Sequence, residues 1–225
     1  MSGQIIGGSV AQEKGANFGI LTPNNIADLV REDKYSQKDG YVYLGSYDYT
    51  SSTFSTVIQF LTVDNGGYVD PTNYRTHMVL CSQIRNSGPY SMNIVLTTRN
   101  AGNTGNSTGN YYGWGYETLQ DSSDNNTKRN QDSSSYWGMS NTGLDGDDDS
   151  QATQVIYFFD IGDNTKYLTM YSRIALRRNS YTGRHNSYDY GGTQGNRNDM
   201  GGFNWGGYTS STWNAKFDIY GIMEK

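Results

Sequence analysis

An all-β fold, a jelly-roll or Greek-key β-sandwich with an N-terminal arm and one short helix, is the class this sequence predicts. Three observations point to it. In Trp213-Asn214-Ala215-Lys216-Phe217-Asp218-Ile219 apolar and polar residues alternate, the period of two that sends one set of side chains inward and the other to water. From Tyr41 onward, apolar runs recur between clusters of Gly, Asn, Asp and Ser, as they do in sandwiches. The composition, with 28 Gly, 20 Tyr and only 3 Pro in 225 residues, is that of strands and tight turns. Tyrosine at this density also suits a surface that meets other surfaces, because it offers contact area and a hydroxyl at low entropic cost.

A chain of 225 residues makes one large domain, or one domain with an arm, and buries about 70% of its unfolded surface without help from disulfides. Cys81 is the only cysteine, so no bridge forms within the chain and a disulfide-built scaffold is excluded. Charged residues make up 17% and the net charge is −5, which argues against sequence-independent binding to nucleic acid. Arg173, Arg177, Arg178 and Arg184 cluster but read as a solvated strand face. The first residues lack a positive stretch followed by an apolar run. No segment approaches the ~18 apolar residues of a membrane span. The expectation is a protein made in the cytoplasm, with neither nucleic acid nor membrane as partner.

Residues 1–40 form the first unit. Met1 to Gly19 is rich in Gly, Ser and Gln and cannot bury a core of its own. It reads as an attachment arm, with Ile5, Ile6 and Phe18 as its docking residues. Thr22-Pro23-Asn24-Asn25 then caps about two turns of helix ending near Asp33, whose apolar stripe includes Ile26 and Leu29.

Residues 41–225 form the sandwich. Tyr41, Tyr43, Tyr47 and Tyr49 alternate with Val42, Leu44 and Asp48, and the run Phe54 to Val63 ends at the turn Asp64-Asn65-Gly66-Gly67. Tyr74 to Ile84 places Tyr74, Thr76, Met78, Leu80 and Ile84 on one face. Asn86-Ser87-Gly88-Pro89 leads into Tyr90, Met92, Ile94 and Leu96, which predicts a hairpin. Two polar loops, 99–110 and 121–149, bracket an aromatic strand, Tyr111 to Leu119, with Tyr112, Trp114 and Tyr116 on one side. Loops this long are uncommon in compact domains unless functional or flexible. Gln154 to Ile161 and Tyr167 to Arg178 read as core strands joined at Asp163-Asn164, the second with Leu168, Met170, Ile174 and Leu176 on one face. After Tyr181 the chain reads as loop until Gly201-Gly202-Phe203, giving seven to nine strands in all.

Chemistry is sparsely encoded. The two histidines, His77 and His185, lie in no nucleophile motif. Arg184-His185-Asn186-Ser187-Tyr188-Asp189 holds Ser, His and Asp together only along the chain, whereas a triad is a spatial arrangement. Glu117 stands beside Trp114 and Tyr116, where a sugar might stack, but glycoside cleavage needs a second carboxylate about 5–9 Å away. An exposed strand glutamate is the simpler reading. Asp145-Gly146-Asp147-Asp148-Asp149 lacks the spacing of a calcium hand, with Ser150 and Ile156 where Gly and Glu are required. No Cys/His spacing suits zinc and no glycine loop opens a helix, so no cofactor is expected.

The closing segment also carries a family resemblance. Trp213 to Ile222 resembles the ending of jelly-roll-like virion proteins of tailed bacteriophages, marine and cyanobacterial ones in particular. In these, a Gly/Asn-rich stretch leads into a final strand of the form Phe-x-Leu-Tyr-Gly-Ile. Here Phe217, Tyr220, Gly221 and Ile222 match, and Ile219 stands for the Leu. Tyr74 to Gln83, the Gly88-Pro89-Tyr90 turn, Tyr111-Tyr112-Gly113-Trp114-Gly115 and Val155 to Asp160 follow a similar pattern. The likeness spans roughly residues 41–222 and leaves 1–40 without a counterpart. It implies a virion part with no catalytic residues to carry over. The first expectation is a capsid decoration (cement) protein that binds the major capsid protein and neighbouring copies as a homo-oligomer through its arm. The second is the receptor-binding module of a short tail fibre, with Tyr112, Trp114 and Tyr116 meeting a host glycan.

Overall fold

The computed structural model describes residues 40–50, 54–55, 57–86, 94–100, 110–119, 126–139, 151–178, 184–195, 200–207 and 212–223. The arm, the short helix and their residues Ile5, Ile6, Phe18, Ile26 and Leu29 lie outside these, as do Asp145 to Asp149. In chain order the strands are β1 (Tyr41–Asp48), β2 (Phe54–Ser55), β3 (Val57–Leu61), β4 (Thr76–Asn86), β5 (Ile94–Asn100), β6 (Tyr111–Leu119) and β7 (Asn126–Ser134). There follow β8 (Trp137–Gly138), β9 (Gln151–Phe159), β10 (Thr169–Arg178), β11 (Arg184–Gln194), β12 (Met200–Gly207) and β13 (Thr212–Ile222).

Two antiparallel sheets pack as a β-sandwich. The larger runs β1-β13-β4-β9-β10-β11-β6-β7, with β2 also paired to β13, and the smaller runs β3-β12-β5-β8. Four strands of the large sheet, β1-β13-β4-β9, face the four of the small one, and the chain passes repeatedly from one sheet to the other. That is the double Greek key of a jelly roll. Two hairpin-like insertions widen the large sheet beyond it. The β6–β7 pair enters between β5 and β8 of the small sheet, and β10–β11 between β9 and β12; β11 then pairs β6. The extension shares the core: Tyr111, Met170, Ile174 and Tyr190 belong to the same buried cluster as Trp137 and Phe217.

The closing strand behaves as its alternation predicts. β13 is laid between β1 and β4, and Trp213, Ala215, Phe217 and Ile219 are fully buried. The core between the sheets is largely aromatic. Phe60 stacks on Phe203 at 4.3 Å and meets Phe217 edge-on at 4.8 Å. Trp205 meets Trp213 at 5.2 Å and Phe217 at 5.1 Å, the offset and edge arrangements that ring quadrupoles favour. Trp213 Nε1 and His77 Nδ1 are buried without a hydrogen-bond partner, whereas a polar chain through Gln154 is paired. Trp205 Nε1 donates to Gln154 Oε1 at 2.7 Å, and Gln154 Nε2 donates to Ser172 Oγ at 2.8 Å.

Several expectations need correction. The strand from Thr76 turns its odd residues inward: His77, Val79 and Cys81 are buried while Leu80 is exposed. A β-bulge between Cys81 and Ile84, with Gln83 at φ 55°, then shifts the alternation and buries Ile84 on that inner face. β4 and β5 are not a hairpin, because they lie in different sheets. The chain crosses the sandwich between them, so Leu96 packs in the core from the opposite layer. Residues 126–134, read as part of a loop, form the edge strand β7. Within the stretch after Tyr181, β11 and β12 are likewise strand: β11 pairs on both sides, and every residue of β12 is buried. Glycine and asparagine run through both, and their strand character comes from neighbours rather than from propensity.

Candidate functional site

The outer face of the large sheet carries the side chains that alternate away from the core. On β6 these are Tyr112, Trp114 and Tyr116, with 42%, 58% and 50% of their surface exposed. The sequence grouped these three, and the structure does too. Trp114 and Tyr116 meet edge-on with centroids 5.9 Å apart. Facing them across β11 are Tyr171 on β10 and Phe159 on β9, both partly exposed.

Between the two aromatic walls runs a cleft of about 840 Å³. Its floor is β11, where Gly191 lies opposite Trp114 on one side and Tyr171 on the other. A side chain there has room, since a Cβ would come no closer than 3.9 Å to its nearest contact, Met170 O. The groove thus exists because a residue without a side chain stands between two bearing large rings. Below the floor the packing is tight. A Cβ on Gly113 would sit 2.1 Å from the Tyr190 hydroxyl, so glycine there lets β6 settle onto the ring beneath it. Trp137 Nε1 donates to Tyr112 O at 3.2 Å.

The extension is anchored to the small sheet by a buried polar cluster. Thr98 N on β5 donates to Tyr111 Oη at 3.0 Å, and Thr98 Oγ1 to Gln194 Oε1 at 2.9 Å, tying β6 and β11 to the opposite layer. The groove walls stand on strands whose inner faces are locked in this way.

Polar groups gather at one end. Tyr171 Oη donates to Asp189 Oδ1 at 2.7 Å, and Arg173 Nε lies 3.5 Å from the same oxygen. The hydrogen bond to Asp189, followed by burial, pushes the Tyr171 hydroxyl above the usual phenol range. Thr169 and Thr193 supply hydroxyls at the other end.

Glu117 is not an exposed strand carboxylate. It points to the inner side of β6, is 3% exposed, and its Oε1 accepts from Tyr188 Oη at 2.6 Å. The odd-even alternation that puts Trp114 and Tyr116 outside puts Glu117 inside, away from anything held in the groove. His77 is buried on β4 in the core, and His185 lies in β11 opposite Arg177. Sequence reading missed Gly191, Tyr171 and Asp189, since the first and last belong to a stretch that reads as loop.

Among the described residues, no group of three or more His, Cys, Asp or Glu is placed to hold a metal ion, and no helix is long and apolar enough to cross a membrane. Comparisons with family models, with curated proteins and with solved structures return no match.

Proposed function

We propose that the sandwich is a glycan-binding module whose ligand lies in the groove above Gly191. The observation that carries this reading is the groove itself: Trp114, Tyr112 and Tyr116 on one wall, Tyr171 and Phe159 on the other, hydroxyls at both ends. Sugar rings present C–H faces that stack on aromatic rings and hydroxyls that hydrogen-bond at their rims. The cleft volume falls within the range of small-molecule sites, about 300–1,000 Å³. Contiguous exposed aromatic surface on a folded domain marks a contact site more often than not. A binding role is favoured over cleavage because the one carboxylate on the aromatic strand, Glu117, is buried with Tyr188 on the far side of the sheet.

Placed with the phage resemblance of the closing strand, the groove favours the receptor-binding module of a tail fibre over a capsid decoration protein. The decoration reading draws on the arm, which lies outside the described residues.

A glycan array tests the proposal. The chain should bind a defined subset of glycans, and Gly191→Val and Trp114→Ala should each abolish that binding while leaving the circular dichroism spectrum and melting temperature in place. Retained binding in both variants overturns it. In purified particles, a few copies per virion support the tail placement and many copies per head refute it.

A further inference from the structure

The groove is one end of a larger surface. Following the pairing register outward from Trp114, Gly191 is followed by Tyr171, then Tyr157, Met78, Tyr220 and finally Tyr43 on the edge strand β1. This row crosses seven strands at one level of the sheet. Its rings touch: Tyr157 and Tyr171 lie 6.4 Å apart, and Tyr43 and Tyr220 5.6 Å apart. Tyr41 reaches across to Tyr157, whose hydroxyl is pushed up first by burial and then by their hydrogen bond. The adjacent row, from Tyr112 through Thr193, Thr169 and Phe159 to Ile222 and Tyr41 at the far edge, continues the same character.

Neither row holds a charged residue. On the strands from β11 to β1, charges come at the next level, with Asp218 on β13 and the mutually tied Arg173 and Asp189. An uncharged aromatic and hydroxyl band therefore crosses the sheet from β6 to β1. From Trp114 to Tyr43 it spans six strand spacings, about 29 Å at ~4.8 Å each.

Resting on the glycan reading above, we infer that the ligand is a neutral, β-1,4-linked polysaccharide chain lying across the strands from the groove to the β1 edge. Three features select it. The absence of charge along the band disfavours uronates and polyamines, which would enter an uncharged aromatic surface at a desolvation cost. The row offers apolar ring surface at successive strands, with Tyr157 and Tyr171 tilted by 30° and Tyr43 edge-on to Tyr220 at 62°, and β-1,4-linked pyranoses with equatorial substituents form an extended ribbon with apolar faces. The rise of one sugar in such a ribbon is comparable to the strand spacing, so successive rings fall over successive strands. Gly191 then leaves space for the one ring that sinks between Trp114 and Tyr171.

Isothermal titration calorimetry of the full chain with chito-oligosaccharides and cello-oligosaccharides of increasing length tests this. Affinity for at least one series should rise about tenfold or more from the trisaccharide to the hexasaccharide, as added rings engage further contacts on one tethered chain. The double variant Tyr43→Ala/Tyr220→Ala should bring hexasaccharide affinity down to about the tetrasaccharide level and leave the trisaccharide unchanged; an unaltered melting temperature confirms that it folds. Gly191→Val should abolish binding of every length. If affinity stops rising at the trisaccharide and the double variant binds the hexasaccharide as tightly as the parent, the extended track is wrong while the groove stands. If Gly191→Val binds every length normally, the groove reading fails. Tighter binding of polygalacturonate, no binding of either series, or self-association that is lost in the double variant each overturn the inference, the last in favour of a contact between copies.

Discussion

Burial of the His77 imidazole, 1% exposed with Nε2 accepting from Asp70 N at 3.0 Å, pushes its pKa down to about 4 from the ordinary 6.5. Desolvation is the main cause, only partly opposed by the nearby Asp70 carboxylate. Between these two pH values the unfolded chain takes up a proton that the folded chain refuses, so stability rises with pH there and is lost as pH falls from 6.5 toward 4. At about 1.4 kcal/mol per unit the loss comes to about 3 kcal/mol. Urea unfolding across this window should show the slope, and His77→Gln, whose amide oxygen replaces the accepting nitrogen, should flatten it. An unchanged slope in the variant assigns the effect to other groups. Phe217 sits where three rings converge, Phe60, Trp205 and Tyr49. Truncating it to Ala should cost about 3–5 kcal/mol, the usual penalty for an aromatic removed from a core, read as a lowered denaturation midpoint.

At the scale of the element, β4 shows why strand faces are hard to assign from spacing alone. Thr76, Met78, Leu80 and Ile84 share parity along the chain, yet the bulge around Gln83 sends Leu80 outward and Ile84 into the core. One inserted residue reverses the alternation beyond it. Ile84→Ala should therefore cost about 2–5 kcal/mol, whereas Leu80→Ala, at an exposed position, should stay within about 1 kcal/mol. Equal costs would place both on one face and remove the bulge. β6 is the opposite case, since no bulge falls between Tyr112 and Tyr116 and its alternation reads correctly from sequence. Yet its partners across the groove come from β10 and β11, and no periodicity in a Gly- and Asn-rich stretch announces them. β1 contains both behaviours: Tyr41 and Tyr43 are exposed, but a bulge before Gly45 turns Tyr47 toward the core, where it meets Phe60 at 4.9 Å.

Across the whole molecule, the jelly roll and its extension divide the tryptophans. Of the chain's 4 Trp, Trp137, Trp205 and Trp213 are fully buried and Trp114 alone is exposed. Iodide should quench only a minor, red-shifted part of the native fluorescence, and Trp114→Phe should remove that part. A bound glycan that covers the groove should protect it to the same degree. Quenching that persists in the variant would mean that the sandwich opens to solvent elsewhere.

The sequence by itself determined the two-layer β class, the buried face of the closing strand and the shared side of Tyr112, Trp114 and Tyr116, because each follows from local alternation, which covalent geometry enforces residue by residue. Only the tertiary structure decided that β4 and β5 lie in opposite sheets, that Glu117 is buried, and that Gly191 opens a groove between Trp114 and Tyr171. Those outcomes depend on which distant strands become neighbours. That choice is made by the packing of the aromatic core and by ladder hydrogen bonds between segments far apart in the chain, and local spacing carries no record of it.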